Sequence, residues 1–330
     1  MPDNGCGGFR YFCGWRGTTG PDTMPGVTTH CRQHHHPLMK AFLALLAILA
    51  WPASALADTS ACWEELRFSA GQGWATATTT LRFSTIPSSQ AALVTAAGGR
   101  DLLPGGESVG LLEAEFSAMR SRGELQIWFD PISGAALQSR RVGFGKESRL
   151  KSHRFLAGAV RRERRAPDAA DALGTPETWP LKSASEIPLP PDVDGSAVIT
   201  PLMLLSRAAA LAMRPQPGKV DEVVFTDTQA YRVVLESRGE ETINASFSLD
   251  RGHGQEAVNG MRSVRRVDLR PHLLGDKAEE EPFSLLELEG ETALIIDRAT
   301  GLPMQIRGNW LRVGTVTVNL YSARLRSNCP

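Results

Sequence analysis

The stretch LLEAEFSAMRSRGELQIWF, residues 111–129, decides the fold class because apolar and polar residues alternate along both of its halves. In the first half, Leu112 and Phe116 fall on one face of an extended chain and Glu113 falls on the other. Alternation with a period of two is typical of strands that bury one face. The turn signal Ser-Arg-Gly at 121–123 is too short for a crossover, so the two halves are expected to pair antiparallel.

The same alternation recurs on both sides of this stretch and predicts a meander of antiparallel strands. The connections between neighbouring runs are short and rich in glycine, which favours hairpins over crossovers. The predicted strands lie at 74–85, 111–119, 124–129, 135–144, 148–156, 158–165, 220–227, 230–237, 263–270, 292–298, 302–309 and 312–325.

Residues 167–217 interrupt the strand pattern and hold nine of the chain's 21 prolines, so they are interpreted as an irregular insert. Inside the insert, TPLMLLSRAAALAM at 200–213 predicts one helix, with Thr200 as its N-cap and Pro201 at its first position. Apolar residues surround this helix almost completely, which is typical of a buried helix. The expected fold is therefore mainly β, a curved antiparallel sheet or half-barrel wrapped around one buried helix.

Residues 39–57, MKAFLALLAILAWPASALA, have the layout of a secretory signal peptide. Lys40 supplies the positive charge, an apolar run follows, and Ala55–Ala57 ends in the small residues that favour cleavage. The run is shorter than the roughly 20 residues that span a bilayer and contains Pro52, although an uncleaved N-terminal membrane anchor stays open as an alternative. Cleavage before Asp58 predicts export, to the periplasm in a bacterial cell.

Residues 1–38 precede this signal and are interpreted as an over-extended, disordered start, with Met39 as the true first residue. Their cysteines and histidines have spacings that match no tetrahedral metal site. The remaining 58–330 is expected to form one domain, since a chain of this length buries a full core without staples. Removing residues 1–57 takes away four basic and two acidic residues, which changes the balance from 36 and 36 to 32 and 34. This charge gives no indication of nucleic-acid binding.

Two cysteines, Cys62 and Cys329, remain after the predicted cleavage, and in an oxidising compartment a disulfide between them is the simplest expectation. Chain ends often lie close together in compact domains, so this bond would join the first strand to the last. Two other states stay open, a pair of free thiols and a lipid anchor at Cys62. The anchor is disfavoured because Thr59 stands where a lipoprotein signal needs an aliphatic residue.

The densest charge cluster lies between residues 140 and 165, where ten basic residues accompany only Glu147 and Glu163. One interpretation is a solvated outer sheet face whose charges protect an edge. The other is peripheral contact with anionic head groups of the cell envelope, for which arginine is suited by its bidentate binding of phosphate. The residues assigned to this head-group contact are Arg140, Arg141, Arg149, Lys151, Arg154, Arg161 and Arg162.

The common catalytic and nucleotide-binding motifs are missing from the sequence, so no catalytic residue, metal or cofactor is assigned. The histidines beyond residue 58 are His153, His253 and His272, and none has a recognisable catalytic setting. A Ser/His/Asp site assembled in space stays open, because such residues need not be close in sequence. An acid–base role for the neighbouring Glu64 and Glu65 stays open as well.

The sequence ALIIDRATGLPMQIRGNWLRVGTVTVNLYSAR at 293–324 resembles the closing motif of a bacterial family of exported proteins known as domain of unknown function 3108. The stretch WFDPISGAALQSRRVGFGKESRLKSHRF at 128–155 is similar to an earlier part of the same family. The resemblance implies an exported antiparallel β protein, like the envelope lipoprotein carriers that curl a sheet around a helix and hold acyl chains. It implies no catalytic residues. The matching positions here are Asp297, Leu302, Pro303, Gly308 and Gly314.

These patterns predict an exported cell-envelope protein that binds an apolar or lipid-like ligand and catalyses no reaction. Two alternatives stay open: an exported hydrolase whose site is assembled from scattered residues, and an envelope scaffold that binds other proteins through the insert. A cavity without a histidine–carboxylate cluster would favour the binding protein. A cleft that brings a histidine to an acid and a serine would favour the hydrolase.

Overall fold

A computed structural model shows a mainly β protein built on one large curved sheet with a single short α-helix among the residues it describes. The described residues are 62–72, 75–91, 93, 99–118, 121–145, 147–168, 174–275, 282–311 and 313–327. The expectations for residues 1–38, for the signal peptide at 39–57 and for Cys329 lie outside this part of the chain.

The N-terminal strands form the expected antiparallel meander, in which each strand pairs with the next along the chain. Two strands, at 181–188 and 198–199, lie within the insert that was expected to be irregular, so that expectation is wrong at both places. Most side chains of the first are exposed, and an edge strand of this kind shows no apolar alternation, while the second has only two residues and is too short to show one. These strands are β1 (Trp63–Gln72), β2 (Ala75–Pro87), β3 (Ser108–Ala118), β4 (Ser121–Phe129), β5 (Ala136–Phe144), β6 (Arg149–Phe155), β7 (Ala159–Arg165) and β8 (Leu181–Pro188).

The C-terminal strands extend the same sheet from its other end, and β1 pairs antiparallel with the last of them. Two short pairings in this group are parallel rather than antiparallel. Residues 198–199 pair with 223–224, and residues 248–250 pair with 322–324. The strands are β9 (Val198–Ile199), β10 (Lys219–Phe225), β11 (Ala230–Asp250), β12 (Gln255–Leu273), β13 (Ser284–Leu285), β14 (Leu288–Asp297), β15 (Pro303–Trp310) and β16 (Gly314–Leu325).

The hairpin of β11 and β12 is much longer than its sequence pattern indicates. The two strands pair from Tyr231 opposite Leu273 to Asp250 opposite Gln255, with one irregularity after Ser237. Residues 239–242 are all exposed, so this part of the hairpin shows no alternation of apolar and polar residues. The predicted strand ended before these residues and missed the distal half, in which the buried Ala245, Phe247 and Leu249 alternate with less buried serines.

The helix α1 (Leu204–Met213) follows a 3-10 turn at Pro201–Met203 and packs into the main apolar core. Its position and burial confirm the prediction, and Thr200 stands at the N-cap position of the helical segment, with Pro201 at the first position of the 3-10 turn. The side chain of Thr200 makes no capping hydrogen bond, because the chain enters through the 3-10 turn and Met203 N–H donates to the backbone oxygen of Thr200 at 3.0 Å. In the described part of the chain, no helix has the length and apolar character needed to cross a membrane.

A buried arginine fixes the far end of α1. Arg265 on β12 is 1 % exposed, and its guanidinium donates to the backbone oxygens of Arg214 and Pro215, directly after the helix. A cation at a helix C-terminus interacts favourably with the helix dipole and satisfies carbonyl groups that have no partner within the helix. The helix is thus held in place against the sheet.

Candidate functional site

A cavity of about 190 Å³ lies between the sheet and the start of the helix. One wall comes from β2 to β6, and the other comes from the 3-10 turn, the end of β10 and the segment around β13. The wall is largely apolar in composition, although charged side chains also reach it. Its apolar side chains include Phe116, Leu125, Ile127, Leu202, Phe225 and Leu286.

Strand register explains which side chains face this cavity. Ser139 lies opposite His153 across β5 and β6, and Arg162 on β7 lies opposite His153. Directly opposed residues of neighbouring strands share one face of a sheet, and the next residue along each strand faces the other way. We call the face that carries Ser139, His153 and Arg162 the cavity face, and the opposite one the outer face.

The volume of the cavity limits what it can hold. About 190 Å³ is close to the roughly 150 Å³ of an engineered apolar cavity that binds benzene. It is smaller than the roughly 300–1,000 Å³ of pockets that enclose drug-sized ligands. The cavity therefore has room for one short acyl or aromatic group, and a complete two-chain phospholipid does not fit.

Asp227, directly after β10, is the centre of the charge cluster in this cavity. Arg162 donates to both carboxylate oxygens, at 3.2 Å from Nε and 2.7 Å from Nη2, and Lys151 pairs with the same group. His153 Nε2 lies 3.3 Å from Oδ1. Burial by itself would raise the pKa of the Asp227 carboxyl, but hydrogen bonds from His153 and Lys151 and the charge of Lys151 outweigh burial and hold that pKa far below its usual value.

A serine completes a Ser–His–Asp contact in the cavity. The Ser139 hydroxyl lies 3.3 Å from His153 Nδ1, and both side chains are buried. The arrangement has two features that disfavour a hydrolytic triad: Ser139 lies in the middle of a strand, and the Asp227 carboxylate already compensates Lys151 and Arg162. A further positive charge on the imidazole would leave this cluster with two uncompensated charges.

Neither Ser139 nor Asp227 was identified from the sequence. Ser139 differs in no way from the other small polar residues of a strand, and Asp227 lies 74 residues beyond His153 in a turn. The one available signal was the spacing of two residues between Ser139 and Arg141 on β5, which places both on one face. The pairing of β5 with β6 is needed before that face acquires a histidine.

Thr200 contributes an unpaired hydroxyl to the cavity wall. The residue is 6 % exposed, and its Oγ1 has no hydrogen-bond partner within the described residues. A buried hydroxyl without a partner costs about 1–3 kcal/mol of stability. Such a group is most simply explained by a partner that arrives from outside the chain, such as water or a ligand.

The turn between β13 and β14 forms the rim of the cavity and has an unfavourable backbone. Leu286 and Glu287 have φ values of 52° and 64°, in the left-handed region that disfavours residues with a Cβ. A two-residue hairpin turn with both φ values positive normally carries Asn-Gly. Here the two residues line the cavity, and Glu287 also pairs with Arg141.

The residues assigned to head-group contact are divided between the two faces of the sheet, because side chains alternate along each strand. Arg140, Arg154 and Arg161 belong to the outer face, while Arg141, Arg149, Lys151 and Arg162 belong to the cavity face. On the outer face, Arg140 pairs with Glu177, Arg161 Nε lies 3.5 Å from Glu163, and Arg154 lies 4.0 Å from Asp101.

The other candidates from the sequence lie away from the cavity. His253 and His272 are exposed, and neither lines the cavity. Glu64 is exposed on β1, and the neighbouring Glu65 accepts hydrogen bonds from two arginines at 2.8 and 3.0 Å. Glu65 is thus engaged in ion pairs on the sheet surface rather than placed in a cleft.

The cavity therefore joins an apolar wall, one unpaired hydroxyl and a set of cations within a single space. Its chemistry fits a molecule that has both an apolar part and a polar or anionic part. Among known proteins, no family model, no curated sequence and no solved structure matches this chain.

Proposed function

We propose that the protein is a non-enzymatic binder of a small apolar or amphipathic ligand, which it holds in the cavity between the sheet and α1. The observation that carries this proposal is the combination of the apolar wall with the unpaired Thr200 hydroxyl. An apolar group displaces poorly held water from such a wall, and a polar group of the ligand satisfies the hydroxyl. The lipid-like ligand expected from the sequence is narrowed to one with a short chain or ring, since the volume is about 190 Å³.

The strained turn at Leu286 and Glu287 supports the same proposal. Left-handed backbone at residues other than glycine costs about 1–2 kcal/mol per residue and persists where the surroundings require it. Here the strained residues form the rim of the cavity, so the cost falls on the part of the structure that shapes the binding site.

We further propose that the protein works in the periplasm or another exported compartment after cleavage before Asp58, with a disulfide between Cys62 and Cys329. The first and last described strands support this pairing, since Trp63 lies opposite Leu325 and Arg326 N–H donates to the Cys62 oxygen at 3.1 Å. The strand β1, which begins directly after Cys62, therefore runs beside the segment that leads to Cys329.

A pair of tryptophan substitutions on β2 tests ligand binding. Thr79 lines the cavity, whereas its neighbour Thr78 is exposed on the other face of the same strand. We expect hexanol to bind the wild-type protein, and Thr79→Trp to weaken binding at least about tenfold because the indole fills the cavity. Thr78→Trp should bind as the wild type does. Chemical-shift titration by NMR measures all three affinities.

Two results would contradict the proposal. One is equal binding of hexanol by Thr79→Trp and Thr78→Trp, which would place the ligand elsewhere. The other is failure of the folded wild-type protein to bind hexanol, together with the absence of any co-purifying small molecule in native mass spectra after gentle purification.

A second candidate function is ester hydrolysis, favoured by the contact of Ser139 with His153 and of His153 with Asp227. In this reaction the Ser139 oxygen would attack the ester carbonyl while His153 Nδ1 accepts the hydroxyl proton, and the C–O bond to the alcohol would break as the alcohol leaves with that proton. Water would then attack the acyl-serine, which releases the acid and restores the Ser139 hydroxyl. The chain 58–330 is incubated with p-nitrophenyl butyrate, beside Ser139→Ala and the control Ser152→Ala on the outer face. Equal turnover by all three proteins eliminates this candidate, and selective loss in Ser139→Ala supports it.

A further inference from the structure

Positive charge is in excess on the cavity face of β5 to β7. Five cations belong to this face by register, and two carboxylates, Asp227 and Glu287, line the cavity beside them, which leaves a surplus of three. Within the described part of the chain, Arg149 and Arg164 make no ion pair. The five cations are Arg141, Arg149, Lys151, Arg162 and Arg164.

Three of these cations form a row across the sheet. Arg141 on β5 lies opposite Lys151 on β6, and Lys151 lies opposite Arg164 on β7. Neighbouring strands are about 4.8 Å apart, so the row spans roughly 10 Å between its outer backbones. Like charges placed directly opposite each other destabilise a sheet. Within the described residues, Glu287 pairs with Arg141 and Asp227 pairs with Lys151, whereas Arg164 makes no ion pair, so the row as a whole keeps an excess of positive charge.

The outer face of the same strands has the opposite character. Its cations have acidic partners: Arg140 pairs with Glu177, and Arg161 and Arg165 lie 3.5 and 3.9 Å from Glu163. By the same count the outer face has four cations, Arg140, Arg154, Arg161 and Arg165, and three carboxylate partners, so the larger surplus lies on the face that borders the cavity. An anion that enters the cavity therefore meets the face with the larger surplus.

We propose that the row Arg141–Lys151–Arg164 binds a phosphate-type oxyanion, and that the apolar part of the same ligand occupies the cavity. Arg141 and Lys151 line the cavity directly, so a head group on the row leaves a short chain pointing inward. A tetrahedral dianion accepts from several donors at once and compensates more of the surplus than a single carboxylate can, and arginine binds it bidentately. This inference rests on the proposed function and specifies the ligand class.

The test compares three probes on the folded chain 58–330: hexyl phosphate, hexanol and inorganic phosphate. We expect hexyl phosphate to bind at least about tenfold more tightly than hexanol, the order of one charge-assisted hydrogen bond. Arg141→Gln and Arg164→Gln should each remove this advantage, and Arg164→Gln, whose side chain does not line the cavity, should leave the affinity for hexanol unchanged. The matched controls are Arg140→Gln and Arg165→Gln, the neighbours on the outer face, and Arg141→Lys should restore part of the advantage. Circular dichroism confirms that each variant is folded.

Each outcome separates the oxyanion site from the proposed function. Equal affinity for hexyl phosphate and hexanol overturns the oxyanion site and leaves apolar binding intact. An advantage for hexyl phosphate that Arg140→Gln removes as fully as Arg141→Gln also overturns it, because the charge would then act from either face. If inorganic phosphate binds as tightly as hexyl phosphate and hexanol does not bind, the oxyanion site stands with the free ion as its source and the apolar-ligand proposal fails.

Discussion

At the scale of single residues, Asp227 shows how the site is stabilised and what this stabilisation requires. Its carboxylate lies among Lys151, Arg162 and His153, which approach from two strands of the opposite wall. The Asp227 side chain is 13 % exposed, so these charges depend on one another rather than on water. Removing one partner of a buried ion pair leaves the others without compensation.

Replacing Asp227 with asparagine is expected to destabilise the protein by about 3–5 kcal/mol near neutral pH, because two partly buried cations lose their anion. The wild-type protein should also lose stability as the pH falls below about 4. A carboxyl whose pKa is lowered by folding stabilises the folded protein at pH values above the pKa that the group has in the unfolded chain. This contribution is lost as the pH falls and the carboxylate is protonated in the folded protein. Asp227→Asn should lack this acid-dependent component. Urea denaturation at several pH values measures both effects.

The control for this experiment is Asp221→Asn on the neighbouring strand β10, where the side chain is exposed. Its free energy of unfolding should stay within about 0.5 kcal/mol of the wild type. A loss of stability for Asp227→Asn no larger than that of Asp221→Asn would show that the charge cluster is not formed in solution.

At the scale of elements, two hairpins of the sheet use the same turn. The turn between β4 and β5 and the turn between β14 and β15 each begin with a buried aspartate that accepts from a Ser or Thr three residues later, at 2.7 and 2.6 Å between the oxygens. Each turn ends in a glycine with positive φ that lies against a side chain of the helix segment. These aspartate–glycine pairs, Asp130 with Gly134 and Asp297 with Gly301, lie in the two stretches quoted for the family resemblance.

The turn between β13 and β14 allows a prediction about strain. Glu287→Gly is expected to raise the free energy of unfolding by about 1 kcal/mol, because glycine adopts a φ of 64° without steric cost and the lost ion pair to Arg141 is exposed. The matched control is Glu291→Gly, an exposed glutamate within β14, which should lower it by about 0.5–1 kcal/mol. Chemical denaturation of the two variants measures the difference in sign. Destabilisation of both to the same extent would contradict the strained turn.

At the scale of the whole molecule, the sheet brings the two ends of the described chain together. β1 pairs with β2 on one side and with β16 on the other, so the N-terminal and C-terminal strand groups meet along this line. A disulfide at the same place would close a loop that contains nearly the whole domain. It would therefore remove more conformational entropy from the unfolded chain than a disulfide that closes a shorter loop.

We therefore predict that the secreted protein starts at Asp58 and has a mass two hydrogens below that of its reduced form. Reduction, or replacement of Cys62 and Cys329 by serine, should lower the melting temperature, with a loss of at most about 5 kcal/mol from loop closure. Intact-mass analysis before and after reduction, followed by calorimetry, measures both. An acylated Cys62, or two thiols that alkylate without reduction, would contradict this prediction.

The sequence by itself determined the fold class, most strand positions and the buried helix, because period-two alternation and an apolar helical segment are local properties of the chain. It did not determine the exposed strand β8 or the distal half of the β11–β12 hairpin. The strand β8 buries no continuous face, so backbone pairing with its neighbour holds it in place and no local pattern marks it. The distal half of the hairpin does bury alternate residues, Ala245, Phe247 and Leu249, but the exposed residues 239–242 separate this short run from the proximal strand.

Only the tertiary structure decided the composition of the site. The basic residues between 140 and 165 form one cluster in sequence, but strand pairing divides them into an outer face that is largely compensated and a cavity face with the larger surplus of charge. Ser139, His153 and Asp227 meet because β5 and β6 are paired and the end of β10 returns to face them. Such contacts depend on register and on the curvature of the sheet, which arise from packing across the whole molecule.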